Sequence, residues 1–154
     1  MTSTAVVFRD LDFGEIESML KENSYGRLAF TFRDRVDIEP IHYVYDDGWL
    51  VCRTAPGTKL TLLSHHPWVA FEIDEVRGLF EWRSVVVKGT VYFVEPDGSD
   101  VHDETWKASV AALRRLIPST MKAGDPTPAR NVVFRIHIDE MHGRAAGAAP
   151  GSDD

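Results

Sequence analysis

The residues best suited to chemistry in this sequence form a short basic loop, Arg53-Thr54-Ala55-Pro56-Gly57-Thr58-Lys59. The guanidinium of Arg53 offers a planar fork for two phosphate oxygens, and Lys59 offers a point charge. The hydroxyls of Thr54 and Thr58, and the free N–H groups at a helix start, can bind the same anion. The Gly-x-x-x-x-Gly-Lys-Ser/Thr pattern of nucleoside triphosphatases is absent. The pattern therefore favours a receptor for one phosphate group, and an ordinary surface loop with two solvated cations is the alternative.

A second stretch with functional potential is Glu81-Trp82-Arg83-Ser84-Val85-Val86-Val87-Lys88-Gly89, which has the pattern of an apolar strand. Trp82 offers an aromatic platform, and the polar side chains near it offer hydrogen-bond donors, so the stretch could line a pocket. The alternative is a barrel strand with one polar side. Gly89 within this strand predicts a bulge or a close backbone approach.

Other chemistries lack the residue patterns that they need. Of the six histidines, His65 and His66 are adjacent and would point about 100° apart on a helix. The other four show no His-x-x-x-His spacing, and there is no Gly-x-Ser-x-Gly motif. Cys52, the single cysteine, lies in an apolar run and is interpreted as a small buried hydrophobe. We therefore expect no metal centre and assign no catalytic residue.

The composition favours one globular domain. The chain has 154 residues, of which 44% are hydrophobic, and a formal net charge of −7. That charge argues against general nucleic-acid binding, although a local basic pocket for one phosphate is compatible with it. No apolar run reaches the roughly 18 residues of a membrane span, and the N-terminus lacks a targeting pattern, so we expect a cytoplasmic protein. Residues 1–144 are predicted to form the domain, and 145–154 a disordered tail.

The elements that must position these residues are mostly strands. Asp12 and Glu15 have the spacing of a capping box, and Ile16, Met19 and Leu20 then mark one face of a helix. Alternation and turn residues predict strands over 27–32, 38–45, 49–54, 69–73, 80–94 and 132–138. Further helices are predicted from a Thr58 cap to Ser64, and from a Ser99 or Asp100 cap to Pro118.

The connections between these elements predict antiparallel neighbours. Asp46-Asp47-Gly48 has the residues of a tight hairpin turn, and the first three strands should form a meander. Strands and helices do not alternate as they do in parallel sheets. The sequence therefore predicts a mainly β fold, a closed or partly closed barrel of about six strands with peripheral helices.

The two functional stretches, with three others, resemble the pyridoxamine 5′-phosphate oxidase-like FMN-binding split-barrel family. The nearest branch is the short one that includes nitroimidazole-reductase-like proteins and many uncharacterised flavin-binding proteins. The matching pieces appear in family order over roughly residues 10–95, and Gly143-Arg144 matches more loosely. They are Gly26-Arg27-Leu28-Ala29, the segment 38–48, the loop 53–60, the segment 69–74 and the stretch 82–89.

The resemblance implies a six-stranded antiparallel split barrel that works as a homodimer, with FMN as cofactor and two FMN sites at the subunit interface. By that analogy the basic loop holds the phosphate, while Pro40, Ile41 and the Trp82–Val85 stretch border the isoalloxazine ring. The implied cofactor-binding residues are Pro40, Ile41, Arg53, Thr54, Thr58, Lys59, Leu60, Trp82, Arg83, Ser84 and Val85.

The function implied is that of an FMN-dependent oxidoreductase with small-molecule electron donors and acceptors and an undefined substrate. A non-catalytic flavin-binding module for sensing, storage or stress response fits the same residues, and related barrels bind haem or deazaflavin in the same cleft. Nitroimidazole-reductase-like relatives tend to carry a histidine near the position of Arg53, so that activity is not implied. The extended basic C-terminal segment of true pyridoxamine phosphate oxidases is absent, so vitamin B6 oxidation is not expected either.

Overall fold

A computed structural model describes residues 5–148, apart from the side chain of Leu60, and these residues form eight strands and three helices. In chain order the elements are β1 (Val6–Asp10), α1 (Phe13–Glu22), β2 (Tyr25–Phe32), β3 (Arg35–His42), β4 (Val44–Asp46), β5 (Trp49–Thr54), α2 (Thr58–His65), β6 (Trp68–Gly78), β7 (Glu81–Val94), α3 (Asp100–Leu116) and β8 (Val132–Ala148). The prediction of a mainly β barrel with peripheral helices is confirmed, with more strands than the six expected.

The strands form one antiparallel sheet in the order β3-β2-β6-β7-β8-β5-β4, and β1 pairs with the far end of β8. The two outermost strands, β3 and β4, follow each other in the chain and are separated only by Tyr43. This short connection brings the two edges of the sheet together, so the sheet curls into a barrel. Tyr43 is fully buried, and its hydroxyl donates to the Leu20 carbonyl over 2.9 Å.

The predicted meander of the first three strands is wrong. The segment 38–45 was expected to be one strand, but it divides at Tyr43 between β3 and β4. β3 pairs with β2, whereas β4 pairs with β5 at the other end of the sheet. The residues on both sides of Tyr43 favour a strand, so local pattern gives no sign that the hydrogen-bonding partner changes there.

The hairpin turn and the first helix are confirmed. Asp47 and Gly48 have φ values of 46° and 83°, the left-handed conformation that a two-residue hairpin requires. Asp12 caps α1 in a capping box with Glu15. The apolar face of α1, formed by Ile16, Met19 and Leu20, packs into the barrel core.

The other two helices differ in how their N-termini are capped. Gly57, rather than the predicted Thr58, precedes the first turn of α2 and contributes no capping side chain. Ser99 caps α3 by accepting from the backbone N–H of His102, which confirms the prediction. α3 packs Val110, Ala112 and Leu113 against the sheet. No helix within residues 5–148 is long and apolar enough to span a membrane.

The two ends of the described chain form strands that the sequence did not predict. β1 pairs with β8 from Val6 opposite Ala148 to Asp10 opposite Arg144. The prediction of a disordered tail is therefore wrong for residues 145–148, of which Ala145 and Ala146 are buried. Small residues have little local preference for a strand, and here pairing with neighbouring strands stabilises the extended conformation. Residues 149–154 lie outside the described part.

Gly89 marks both a bulge and a close backbone approach, as predicted. The β7–β8 register shifts between Lys88 and Gly89. A Cβ atom added at Gly89 would lie 2.4 Å from the His137 carbonyl oxygen and 2.6 Å from Cγ2 of Ile136. Both atoms belong to β8, the central strand of the fold, so a larger residue would force the two longest strands apart.

We predict that Gly89→Ala lowers the free energy of unfolding by about 1–3 kcal/mol, because the added methyl group overpacks against backbone. Gly147→Ala is the matched control, since Gly147 lies in β8 and a Cβ atom there meets no atom within 4 Å. Urea denaturation of both variants measures the difference. Equal stability of the two variants would contradict the prediction.

Candidate functional site

The basic loop lies between the end of β5 and the start of α2. β5 is fixed by its pairing with β8, in which Arg53 lies opposite Val133. Gly57 makes no side-chain cap, so the N–H groups of the first turn of α2 keep their capacity to bind an anion. Thr58 is exposed at this turn, and Thr54 is buried at the end of β5. Leu60 lies in the same turn, but its side chain is outside the described residues.

Lys59 connects this loop to β3. Its ammonium group lies 2.7 Å from a carboxylate oxygen of Glu39, and the Lys59 side chain is 18% exposed. Pro40, the next residue on β3, is exposed on the opposite face of that strand. The fold therefore brings two of the three predicted site segments together, the basic loop and the Pro40 region.

Arg53 is engaged within the chain. Its two terminal nitrogens, Nη1 and Nη2, donate to the two carboxylate oxygens of Asp125 over 2.6 and 2.9 Å. Nη2 also donates to the hydroxyl of Thr127 over 2.8 Å. The side chains of Arg53 and Asp125 are only 8% and 3% exposed. The resemblance assigned this fork to phosphate, but in this structure a buried carboxylate uses both ends of it.

Asp125 is held by several donors at once. The guanidinium of Arg53 lowers the pKa of the carboxyl well below its usual range, and the backbone N–H groups of Met121 and Thr127 act in the same direction. These bonds fix the segment between α3 and β8, which crosses over the end of β5. A charged pair buried in this way loses its solvation, so both partners must be present for it to hold.

A cavity of about 290 Å³ lies beside this ion pair. Its apolar wall is formed by Leu113, Leu116 and Ile117 near the end of α3. Its polar lining includes Arg53 and His42, the last residue of β3. The cavity is small, close to the lower limit for organic ligands, and it opens near the basic loop.

Two residues of the predicted set pack in the hydrophobic core. Ile41 is 6% exposed and Val85 is fully buried. The resemblance placed both beside the isoalloxazine, but successive residues of a strand face opposite sides of a sheet, and these two face inward. Neighbouring Cys52 is also fully buried, which confirms its interpretation as a buried hydrophobe, and burial raises the pKa of its thiol to about 12.

The third predicted segment, around Trp82, lies far from the basic loop. Trp82 pairs with Ala146 and Arg53 with Val133, thirteen positions apart on β8. At about 3.3 Å per residue, this corresponds to roughly 40 Å of strand. Arg83 is bound to Glu75 over 2.6 Å, and Ser84 lies opposite Asp74. One flavin cannot contact the loop and the Trp82 segment of the same chain.

Sequence reasoning missed the partners of the two loop cations. Asp125 and Thr127 lie more than 70 residues from Arg53 in the chain, in a segment that has the composition of an ordinary polar loop. Glu39 has no distinguishing pattern in β3. No local pattern could identify these contacts, because each depends on how the sheet closes. Among residues 5–148 no group of three or more potential metal ligands lies together.

Comparisons with known proteins assign the chain to a family. The family model described as pyridoxamine 5′-phosphate oxidase matches residues 12–145. An uncharacterized protein from Rhizobium meliloti strain 1021 is 30% identical over 142 residues, which cover 87% of this chain and 92% of that protein. The family match covers every strand from β2 to β7 and reaches Ala145 of β8.

Solved structures share the fold over nearly their full length. The FAD-binding protein from Mesorhizobium loti is 26% identical with a TM-score of 0.72, and the alignment covers 92% of this chain and 99% of that chain. A conserved protein of unknown function from Corynebacterium diphtheriae is 29% identical with a TM-score of 0.65, and the alignment covers 90% of this chain and 97% of that chain.

The buried ion pair leads to a prediction about stability. Arg53→Ala should lower the Tm at neutral pH, because it removes the charge partner of Asp125 and two hydrogen bonds to its carboxylate. Arg35→Ala, at an exposed arginine with no ion pair among residues 5–148, is the control and should change the free energy of unfolding by less than about 0.5 kcal/mol.

The stability difference between wild type and Arg53→Ala should depend on pH. The folded-state pKa of Asp125 lies below its ordinary value of about 3.9, so the pair contributes fully above roughly pH 5 and its contribution is lost as the pH falls through the folded-state pKa. The difference in Tm between wild type and Arg53→Ala should therefore be constant from about pH 5 to 8 and shrink below about pH 4. A Tm difference that does not change in acid would show that another contact is responsible.

Proposed function

The chain belongs to the pyridoxamine 5′-phosphate oxidase family, and on that premise we propose that it binds a flavin at the first turn of α2 and the adjoining part of β3. The observation that supports this most directly is the contact between Lys59 and Glu39, because it joins the basic loop to the strand that carries Pro40. A phosphate on the helix end would then lie beside the strand whose other face carries Pro40.

In this proposal Lys59 and Thr58 bind the flavin phosphate, together with the backbone N–H groups that begin α2. Arg53 acts indirectly: its bond to Asp125 holds the segment that covers the end of β5. Glu39 competes with the phosphate for Lys59, since a carboxylate and a phosphate bind the same ammonium group. The phosphate therefore has to displace a partly exposed carboxylate, whose side chain is 42% exposed.

FMN is the cofactor that we propose, because Lys59 and the N–H groups that begin α2 suit a single phosphate group. The Mesorhizobium loti protein is described as FAD-binding, so FAD is the direct alternative. Heat denaturation releases a bound flavin, and chromatography of the released compound identifies it. A flavin spectrum of the purified protein would support the proposal, whereas a Soret band would indicate haem and overturn it.

When bound, the flavin would supply hydride and electron transfer, and the protein would supply binding, orientation and electrostatics. We propose an oxidoreductase that acts on a small molecule, and a non-catalytic flavin-binding module is the second candidate. The cavity of about 290 Å³ beside Arg53 favours the first, since it offers a small substrate a place near the ring. Steady-state oxidation of NADH or NADPH with an added acceptor separates the two, and an absence of turnover by loaded protein would favour the module.

A homodimer is also part of the proposal. The outward face of β3 carries Val36 and Ile38, which are 77% and 61% exposed, and Trp68 on β6 is 69% exposed. Ile38 lies opposite Ala29, and Ala29 lies opposite Ala70, so these strands present one apolar surface. A monomer would leave this surface in water, whereas a second copy packed on the same face would cover it.

The dimer would also account for the separation of the predicted segments. Trp82 and Ser84 face outward on the same sheet as Pro40, while Arg53 and Lys59 lie at the other end of β8. Since one chain cannot bring the loop and Trp82 to one flavin, a second copy is the natural source of the missing contacts. The site is then composite, with the phosphate held by one chain.

We predict that Lys59→Ala weakens FMN binding by about 1.5–3 kcal/mol, the usual contribution of a charge-assisted hydrogen bond. Glu39→Gln should tighten binding, because it removes the competing carboxylate. Lys107→Ala, which removes an exposed lysine of α3, is the matched control. Quenching of flavin fluorescence measures all three affinities, and equal affinities would remove Lys59 from the site.

We predict that Ile38→Lys converts the dimer into a monomer, because it places a charge in the proposed apolar interface. Val101→Lys is the matched control, since Val101 is 71% exposed on α3, outside that face. Sedimentation equilibrium measures the mass of each variant. A monomeric wild type, or a dimer that survives Ile38→Lys, would contradict the proposal.

A further inference from the structure

A groove of about 630 Å³ lies at the opposite end of β8 from the basic loop. Strands β1, β6, β7 and β8 form it, and three of the residues that line it are arginines: Arg9 on β1, Arg77 on β6 and Arg83 on β7. We call this feature the arginine groove. In a chain with a net charge of −7, this cavity gathers three arginines together with the glutamates Glu75 and Glu81.

The strand register places two of these arginines on either side of a small residue. Ala145 of β8 lies opposite Arg9 on one side and opposite Arg83 on the other. Ala145 and Gly147 line the groove between the flanking strands. With neighbouring strands about 4.8 Å apart, the backbones that carry Arg9 and Arg83 are separated by roughly 10 Å across this floor. The small side chains leave room there for a ligand between the two cations.

Carboxylates hold two of the three arginines in place without using all of their donors. Arg9 forms two hydrogen bonds with Glu15, of 3.0 and 2.7 Å. Arg83 donates from Nε and Nη2 to a single oxygen of Glu75, which leaves Nη1 without a partner among residues 5–148. Since a guanidinium carries five N–H donors, each arginine keeps donors for a further anion. Prepositioned arginines lose less conformational entropy when they bind one.

Arg77 has no carboxylate within ion-pair distance among residues 5–148, and its side chain is exposed. The charged residues that line the groove are then three arginines against Glu75 and Glu81. Trp82 also borders the cavity, but its ring lies near that of Phe8 on the other face of the sheet. The arginines suit a ligand with more than one negative charge.

We propose that the arginine groove binds a diphosphate group, either free or as part of a nucleotide. Arginine matches phosphate oxygens in a bidentate manner, and a diphosphate offers enough oxygens to engage Arg77 and the remaining donors of Arg83 and Arg9 together. The groove lies about 40 Å of strand away from Lys59, so this site is separate from the proposed flavin phosphate site of the same chain.

Isothermal titration of the purified full-length protein at low ionic strength tests the proposal, with inorganic pyrophosphate, ADP and adenosine as the three probes. Pyrophosphate and ADP should bind saturably with one site per chain, and adenosine should not. Tighter binding of ADP would identify the ligand as a nucleotide, and tighter binding of pyrophosphate would identify it as a free diphosphate. Absence of saturable binding of both phosphorylated probes would overturn the proposal.

Arg77→Ala should weaken the binding of both phosphorylated probes about tenfold or more, because it removes the arginine that has no ion-pair partner among residues 5–148. Arg35→Ala is the matched control: it removes the same charge from an exposed arginine at the start of β3. Equal effects of the two variants would show general charge attraction and overturn the proposal.

Lys59→Ala should leave the affinity for pyrophosphate unchanged and should weaken the binding of FMN. This variant tests the arginine groove separately from the flavin site, so one of the two proposals can be contradicted while the other holds. A loss of pyrophosphate binding in Lys59→Ala would place that anion at α2 instead and overturn the proposal. Circular dichroism of each variant confirms that the fold is retained, which is expected at Arg77 and Arg35 because neither forms an ion pair with another described residue.

Discussion

A strand advances by a fixed length per residue, and in this protein that constraint acts through β8. Its 17 residues pair with β5 at one end, with β7 over most of its length and with β1 at the other end. The basic loop is therefore attached near Val133 and the Trp82 segment near Ala146. The division of the candidate site between distant regions follows from the length of this one strand.

A second constraint is that charged groups must be paired when folding buries them. The fork of Arg53 is buried and bound by Asp125, whereas Lys59 stays near the surface against the partly exposed Glu39. These contacts give the two cations different roles. A buried bidentate pair is costly to open, so it suits the anchoring of a covering segment. A partly exposed lysine can exchange one anionic partner for another at lower cost, which suits a residue that binds ligand phosphate.

Features decided by neighbouring residues were predictable from the sequence. The Asp12 and Glu15 capping box, the Asp47-Gly48 turn, the strand over 49–54 and the bulge at Gly89 all follow from local backbone preferences and were confirmed. The family was also correctly identified. The failures lie where pairing overrides local preference. The strand predicted over 38–45 changes partner at Tyr43, and the small residues at 145–148 become a strand because β1 and β7 pair with them.

The sequence by itself determined the fold class, the family and the presence of a basic loop at the start of α2, because periodicity, turn residues and motif order are local properties. Only the tertiary structure decided what the residues of that loop contact. Arg53 meets Asp125 because the segment after α3 crosses the end of β5, and Lys59 meets Glu39 because the sheet closes at Tyr43. The arginine groove likewise exists only because β8 places Arg9 and Arg83 on either side of Ala145. Contacts between residues far apart in the chain depend on register and closure, which no local pattern encodes.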